Sequence, residues 1–371
     1  MRTRLTVFIS IVQAILFLGH GFVYLTFASF LGGWAEAWET KLAFALLSVS
    51  FVAASLRGWY SFHPLVRIFY TAAAAWLGLF SFLFVGSIAA WIVYAIDAIA
   101  GWGWQRSLIA EAIFAFALLS TAFGIFNAAM LRVSPVRVTL DNLPPQWRGR
   151  RAVLVSDLHL GHIRNYGFVS RVARRVAALR PDIIFIAGDL YDGVAGDFER
   201  LALPWKELVS GKAAPHGIYY IAGNHEEFYA HAEYLPALKR SGVRVLDNEK
   251  VEVDRLQVVG VHYRDAVNPE RYQAILRGAG IDRERASVLL LHAPVRLAIS
   301  EAEGISLQLS GHTHGGQFFP WNLVVKRVWG KFAHGLQLFG RMRVYTSYGT
   351  GTWGPPLRVG TKPEIVVIEF E

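Results

Sequence analysis

The sequence has no cysteine among its 371 residues, which excludes disulfide bridges, thiol catalysis and thiolate metal sites. This absence does not indicate a redox compartment, because many proteins from oxidising and from reducing compartments lack cysteine. Charged residues are also scarce, at 18% of the chain, whereas hydrophobic residues make up 54%. Soluble domains usually carry about 25% charged residues. The apolar surplus must therefore be concentrated in one part of the chain.

That surplus lies in the first 132 residues, which hold only seven of the 37 basic and four of the 28 acidic residues. Four stretches there contain no Asp, Glu, Lys or Arg, and about 20 apolar residues suffice to cross a bilayer. A signal peptide would explain only the first stretch, so the set favours a multi-pass membrane domain. The stretches are residues 5–31, 42–56, 68–96 and 112–131.

The third stretch is long enough to tilt in the bilayer, or to contain a break near Gly78 or Gly86. Counted as one crossing, it gives four spans. Loops rich in Lys and Arg face the cytoplasm. The pattern predicts a multi-pass protein of the cell (inner) membrane whose second half faces the cytoplasm. Six basic residues flank the inner side, Arg2, Arg4, Arg57, Arg67, Arg132 and Arg137, against Lys41 and Arg106 on the outer side.

The second half alternates short β-rich runs with amphipathic helical stretches, a pattern typical of an α/β fold. The clearest helix spans residues 165–179. We expect a transmembrane helical domain over residues 1–132, a linker and first strand over 133–150, and the α/β domain over 151–371. The predicted strands are residues 136–140, 152–156, 183–187, 218–222, 258–261, 288–291, 306–309, 343–346 and 365–370.

Polar side chains follow five of these strands at the point where each strand ends. In an α/β sheet, ligands bind beyond the carboxyl ends of the strands, so these side chains should meet in one crevice. The i, i+2 spacing of Asp157 with His159, and of His312 with His314, lets both members of a pair point the same way in extended chain. The candidates are Asp157, His159, Asp189, Asn224, His225, His292, His312 and His314.

This set of nitrogen and oxygen ligands suits Mn²⁺, Fe²⁺ or Zn²⁺ and is too large for one ion. A lone histidine is more commonly a structural group than a metal ligand. The alternative interpretation is therefore that five strand ends carry unrelated polar residues. The joint occurrence of all eight candidates favours two metals instead. Two ions about 3.5–4 Å apart acidify a water for in-line attack on phosphorus. His225 can then donate a proton to the leaving oxygen. A purely structural His225 is the less favoured alternative.

Several motifs resemble the calcineurin-like metallophosphoesterase superfamily over about residues 136–371. The late Gly-His-Thr-His-Gly-Gly-Gln looks like its membrane-anchored bacterial branch, which includes YkuE-type phosphoesterases and UDP-2,3-diacylglucosamine hydrolases. The resemblance implies a β-sandwich flanked by helices. The motifs are Asp-Leu-His at 157–159, Gly-Asp at 188–189, Gly-Asn-His-Glu at 223–226, His292, and Gly-His-Thr-His at 311–314.

The resemblance also implies how the ligands divide between two divalent metals, with Mn²⁺ our expected ion and Asp189 bridging. It implies His225 beside the leaving group. One departure is that many relatives have an acidic residue where this chain has His262, with Asp265 following three residues later. The implied ligands are Asp157, His159, Asp189 and His314 for one metal, and Asp189, Asn224, His292 and His312 for the other.

These observations predict a membrane-anchored phosphoesterase that cleaves a phosphodiester or pyrophosphate bond, on a lipid-linked substrate. The expected partners are the lipid bilayer and a phosphorylated substrate, without nucleic acid. Two alternatives stay open, a phosphodiesterase for a soluble ligand such as a cyclic nucleotide and a non-catalytic membrane sensor. Arg164 and Arg264 are candidate substrate-binding residues, although solvation at the surface is the favoured interpretation for each of them, and for Arg358, taken alone.

The segment from Phe318 to Arg343 mixes aromatic and basic residues. Such a composition suits a hairpin or short helix resting on an anionic bilayer. Core packing of the aromatic residues explains it equally well.

Overall fold

The computed structural model describes residues 2–227 and 231–371, which form two compact units. The first unit runs to Phe126 and includes the short segment Gly354–Leu357. The second comprises Asn127–Trp353 and Arg358–Glu371. The domain boundaries expected from composition, at residues 132 and 150, stay predictions.

Among the described residues, four helices are long and apolar enough to span a membrane, which confirms the four apolar helices expected from the sequence. The side chains of Arg2 and Arg4, which enter the orientation argument, lie outside the described residues. The helices are α1 (Arg2–Leu31), α2 (Trp38–Gly58), α3 (Pro64–Ala100) and α4 (Arg106–Ala129).

Helix α3 is continuous, so the break considered near Gly78 or Gly86 does not occur. Its start is fixed by Pro64 in the first turn and by the His63 side chain, which accepts a hydrogen bond from the Leu65 amide. Its end is fixed by Gly101 in the left-handed conformation. At 37 residues the helix is about 55 Å long, which exceeds the bilayer core and requires tilt or protrusion.

Polar groups of α1 contact the neighbouring helices. The Gln13 side-chain amide donates to the Ser48 carbonyl at 3.1 Å, and the Trp76 indole donates to His20 Nε2 at 2.9 Å. These bonds pair side chains that would otherwise be unsatisfied in lipid, and they connect α1 to both α2 and α3.

The second unit is built on two six-stranded sheets. The first has the order β1-β12-β2-β3-β4-β5, and its strands are β1 (Arg132–Val138), β2 (Arg151–Val155), β3 (Ile183–Ala187), β4 (Ile218–Ile221), β5 (Arg244–Val245) and β12 (Glu364–Phe370). The second has the order β10-β11-β9-β8-β7-β6, and its strands are β6 (Glu249–Val253), β7 (Leu256–Gly260), β8 (Ser287–Leu290), β9 (Leu307–Ser310), β10 (Gly335–Phe339) and β11 (Met342–Thr346).

The central core joins the two sheets, because side chains such as Leu154 and Phe185 of the first pack with Val258 and Val288 of the second. Separate apolar clusters join helices to the outer face of each sheet, which confirms the expected sandwich flanked by helices. The helices are α5 (Tyr166–Ala178), α6 (Phe198–Ser210), α7 (His231–Arg240), α8 (Tyr263–Ala266), α9 (Pro269–Gly278), α10 (Leu297–Ala302) and α11 (Trp321–Trp329).

The predicted strands all occur, with ends that differ by a few residues, and the predicted helix at 165–179 corresponds to α5. Asn165 is its cap, since its side chain accepts from the Gly167 amide. Strands β5, β6 and β10 were not predicted. All three lie at sheet edges, where one side faces no neighbouring strand and polar residues such as those of Glu249–Val253 are tolerated.

Candidate metal centre

The eight candidate residues follow five strand ends that belong to both sheets. Strands β2, β3 and β4 of the first sheet carry those up to residue 225, and β8 and β9 of the second carry the rest. The strand ends are predicted to deliver these side chains to one crevice. The site lies where the ends of the two stacked sheets meet, which brings ligands to it from both sheets.

Five of these residues have left-handed backbone conformations, so the extended-chain argument for the i, i+2 pairs is wrong. Such values are uncommon outside glycine and concentrate at functional sites. The pair at 312 and 314 also separates, because its members enter different donor groups. The φ angles are 51° for Asp157, 49° for His159, 49° for Asp189, 71° for His312 and 49° for His314.

The first donor group consists of Asp157, His159 and His314, all buried. The Nε2 atoms of the two histidines lie 3.0 Å apart, and His314 Nε2 lies 3.4 Å from Asp157 Oδ1. Asp189 reaches the same group, with its Oδ2 3.8 Å from His159 Nε2. These are the four residues that the resemblance assigns to one metal.

The second donor group consists of Asp189, His292 and His312. His292 Nε2 lies 3.1 Å from Asp189 Oδ2 and 3.1 Å from the side-chain oxygen of Asn224. The same Asn224 oxygen lies 2.8 Å from His312 Nδ1. Because Asp189 Oδ2 is near both groups, this one carboxylate is positioned to bridge two ions.

Both groups fit divalent cations. Donors bound tetrahedrally to one zinc-like ion lie about 3.3–3.5 Å from one another. The separations here run from 2.8 Å to 3.8 Å. His159 Nδ1 faces Asp192 Oδ1 at 3.1 Å and His292 Nδ1 faces the Ala187 carbonyl at 2.8 Å, so each Nδ1 holds the ring hydrogen and each Nε2 offers a lone pair.

The electrostatics of the protein favour positive charge beside Asp189. Burial lowers the pKa of His292, but the carboxylates of Asp189 and Asp157 outweigh burial and raise the pKa to about 10. Burial raises the pKa of Asp189, but His292 and neighbouring imidazoles outweigh it and hold the pKa well below its ordinary value. A divalent cation would supply this positive charge and displace the proton.

Glu226 holds the ligand loops together, a role that the sequence analysis did not assign. Its buried carboxylate accepts hydrogen bonds from the amides of Gly223 at 2.7 Å, Asp189 at 3.0 Å and Tyr191 at 2.9 Å. Burial, with Asp189 nearby, raises the pKa of Glu226 to about 7. The Gly-Asn-His-Glu motif contained this residue, but only the fold reveals that its carboxylate reaches back to the loop after β3.

Asp192 also has a role that its sequence position does not predict, because it lies five residues beyond the end of β3 and not at the strand end itself. Its carboxylate orients His159, and its backbone carbonyl lies 3.2 Å from His225 Nδ1. His225 itself is buried beside Asp189, whose Oδ1 accepts a hydrogen bond from the His225 amide at 2.9 Å. The ring of Trp353 lies 5.5 Å from the His225 ring, centroid to centroid.

The three arginines considered for substrate binding have different surroundings. Arg358 is fully buried and donates to the carbonyls of Gly351 and His314, so it positions a ligand loop and does not solvate the surface. Arg164 donates to the Thr352 hydroxyl at 3.2 Å. Arg264 is largely exposed. A substrate role for Arg164 and Arg264 stays a prediction.

His262 and Arg264 both contact the carboxylate of Glu227. His262 Nε2 lies 3.2 Å from a carboxylate oxygen of Glu227, and Arg264 lies 3.5 Å from the other oxygen. Asp265 is occupied elsewhere, since its carboxylate contacts Arg271 at 2.9 Å and accepts from Asn248. Neither acidic residue belongs to a donor group among the described residues.

Two His/Asp donor groups that meet at the Asp189 carboxylate define a dinuclear metal site of the phosphoesterase type. Residues 150–316 match the family model described as calcineurin-like phosphoesterase. The chain carries a calcineurin-like metallophosphoesterase domain and is a metal-dependent phosphoesterase.

Relatives named as metallophosphoesterases come from bacteria and animals. An uncharacterized metallophosphoesterase of Campylobacter jejuni is 29% identical, with 71% of each chain covered. A transmembrane protein with a metallophosphoesterase domain from Danio rerio is 29% identical, with 82% of this chain and 74% of that protein covered. The uncharacterized metallophosphoesterase YkuE of Bacillus subtilis is 28% identical, with 65% and 86% covered. The expected family membership is thereby confirmed.

We predict that Gly223→Ala disrupts the centre, because a methyl group there would lie 2.2 Å from Asp189 Oδ1 and 2.6 Å from the Asp189 amide. A displaced ligand of this kind should lower the rate of diester hydrolysis about 100-fold. Metal content and initial rates measure the effect.

The matched control for Gly223→Ala is Gly278→Ala, where an added methyl group meets nothing within 4 Å. It should keep both ions and the full rate. A folded Gly223→Ala protein with two ions and an unchanged rate would contradict the geometry.

Proposed function

We propose that the protein is a membrane-anchored dinuclear-metal phosphoesterase that cleaves a phosphodiester or pyrophosphate bond in a lipid-linked substrate, at the cytoplasmic side of the inner membrane. The observation that carries the reaction class is the position of Asp189 between two donor groups. The four apolar helices support a substrate that belongs to the same membrane.

Two divalent cations, when bound, supply Lewis-acid activation of water and neutralise the phosphoryl oxygens. The role of the chain is to hold the donors in place and to orient the substrate. Asp192 fixes the His159 ring and the Ala187 carbonyl fixes the His292 ring. The Nε2 lone pair of each histidine is thereby held towards the centre. Glu226 fixes the loops that carry Asp189 and Asn224.

His225 is proposed as the group beside the leaving oxygen. Its Nδ1 hydrogen is directed at the Asp192 carbonyl, and Nε2 is the ring atom that we assign to the leaving group. A protonated Nε2 can donate its proton as the phosphorus–oxygen bond breaks. Trp353, which contacts this ring, is 55% exposed and offers an apolar surface to the leaving group.

The substrate class is tested by incubating the purified full chain with Mn²⁺ and three substrate types: lipid-linked diphosphates, model diesters and cyclic nucleotides. We expect the highest kcat/KM for a lipid-linked diphosphate. A preference for the cyclic nucleotide would replace the lipid-linked substrate with a soluble one. Absence of turnover with every substrate, despite two bound ions, would favour a sensor.

We predict that His225→Ala keeps both metals but lowers the rate about 100-fold or more for poor leaving groups, because general-acid assistance is lost. Metal retention is expected since the backbone amide of His225, which the substitution keeps, donates to Asp189. Rates across aryl esters of graded leaving-group pKa measure the effect, and activated esters should lose less.

His225→Gln serves as a comparison, because it can donate a hydrogen bond but cannot transfer a proton at neutral pH. It should behave like His225→Ala. Equal losses across all leaving groups would indicate a role in substrate positioning. Loss of an ion would show that His225 is a ligand, which its position near His159 and Asp189 also allows.

We predict that Asp189→Ala abolishes hydrolysis and reduces the bound metal from two ions towards one or none, because one carboxylate serves both groups. Metal analysis of the purified protein measures this. Asp265→Asn also removes a buried carboxylate, but one outside both groups, and should retain two ions. Two tightly held ions in Asp189→Ala would exclude Asp189 as the bridge.

We predict that reporters fused after Arg137 show a cytoplasmic location, because four spans return the chain to the side of its N-terminus and the basic residues favour that side. A fluorescent cytoplasmic reporter should be active there and alkaline phosphatase inactive. The opposite pair of results would place the catalytic domain outside and contradict the proposed orientation.

A further inference from the structure

Helix α11 is a helix of the second unit without a buried residue. Its apolar side chains are exposed to 52% at Trp321, 49% at Val324 and 69% at Val328, which follow the i, i+3, i+7 spacing of one helix face. A surface helix of a soluble domain normally turns such a face towards the core, as Phe168, Val172 and neighbours do in α5.

The same segment carries only positive charge. Lys326, Arg327 and Lys331 are exposed, and no Asp or Glu occurs between Trp321 and Ala333. Lys326 lies on the face opposite Val324 and Val328. An exposed apolar face beside basic residues matches the requirements of the headgroup region of an anionic bilayer, where apolar side chains insert and cations stay with phosphates.

The helix is attached to the metal-ligand loop. It starts seven residues after His314, and the Trp329 ring lies 5.9 Å from the His312 ring. The Thr313 hydroxyl donates to the Ala333 carbonyl at 2.7 Å. These contacts fix α11 relative to the donor groups. A surface that binds the apolar face of α11 therefore also lies beside the metal centre.

A bilayer is within reach of this unit by chain connectivity. Helix α4 ends at Ala129 and strand β1 starts at Arg132. The two intervening residues can extend by only about 7 Å. The folded domain therefore begins close to the end of a membrane-spanning helix.

We propose that α11 lies in the headgroup region of an anionic lipid bilayer, with Trp321, Val324 and Val328 inserted and Lys326 and Arg327 beside the lipid phosphates. This interaction deepens the proposed function, because it rests on the membrane anchoring and holds the rim of the metal centre at the lipid surface. It does not depend on which phosphorylated substrate is cleaved.

The cysteine-free chain allows a direct test on the full-length protein. A nitroxide is attached at Val324→Cys or Val328→Cys, in nanodiscs of phosphatidylcholine with anionic phosphatidylglycerol. The control is Leu203→Cys, an exposed apolar position on α6. Collision with lipid-soluble oxygen relative to a water-soluble nickel chelate reports insertion. We expect a ratio about tenfold higher at 324 and 328 than at 203.

Two further arms identify the occupant. The ratio at 324 should fall when phosphatidylglycerol is omitted, and also in a Lys326→Glu, Arg327→Glu double variant, because the lipid attraction is partly electrostatic. Equal ratios at 324 and 203 would overturn the proposal. Spin–spin broadening at 324 would do the same, because it would show that a second copy covers the face. Unchanged hydrolysis of a soluble aryl diester verifies folding.

The depth measurement needs no turnover, so its failure is distinguishable from failure of the proposed reaction. If the labels are inserted but the enzyme shows no preference for lipid-linked diphosphates, the membrane contact of α11 is supported and the proposed substrate is excluded. If the enzyme strongly prefers lipid-linked diphosphates but the labels lie in water, the proposed substrate is supported and α11 is excluded as the membrane contact.

Discussion

The metal centre depends on one buried carboxylate that serves two sets of donors. Asp189 lies 3.1 Å from His292 on one side and 3.8 Å from His159 on the other. Such a group in an apolar interior is stable only when it is paired and hydrogen-bonded, because desolvation strongly disfavours an isolated charge. The His225 amide, which donates to Asp189 Oδ1, and the surrounding imidazoles satisfy this requirement. Glu226 accepts from the Asp189 backbone amide and so fixes the loop that carries the carboxylate.

The two-sheet architecture explains why so many ligands can converge. Each sheet contributes strand ends from one side, and the core between them, with Phe185 and Val288 fully buried, keeps those ends in register. The left-handed conformations at Asp157 and His314 cost free energy that this packing must offset. Burial of the apolar core between the sheets thus offsets the free-energy cost of the strained backbone at the ligands.

Much of this site could be predicted from the sequence, because its ligands follow strands whose continuous apolar runs can be recognised without knowledge of the fold. Asp189 and His292 come just after buried strands, and the candidate ligands taken together leave few alternatives to a metal site. Glu226, Asp192 and Arg358 could not be assigned, since their roles consist of bonds to loops far away in the chain. The edge strands were missed because partly solvated strands have no continuous apolar run.

The membrane helices and the catalytic domain were distinguishable by charge alone, whereas the exposure of α11 required the fold. Its aromatic and basic residues fitted core and interface equally well until their burial was known. Composition identifies what a segment can contact, and packing decides which contact remains available.

The central claim is that one carboxylate bridges two ions. Anomalous diffraction from crystals of the Mn²⁺-loaded protein measures this most directly. The account predicts two peaks about 3.5–4 Å apart, each within coordination distance of an Asp189 oxygen. A single peak, or two peaks without Asp189 between them, would contradict it.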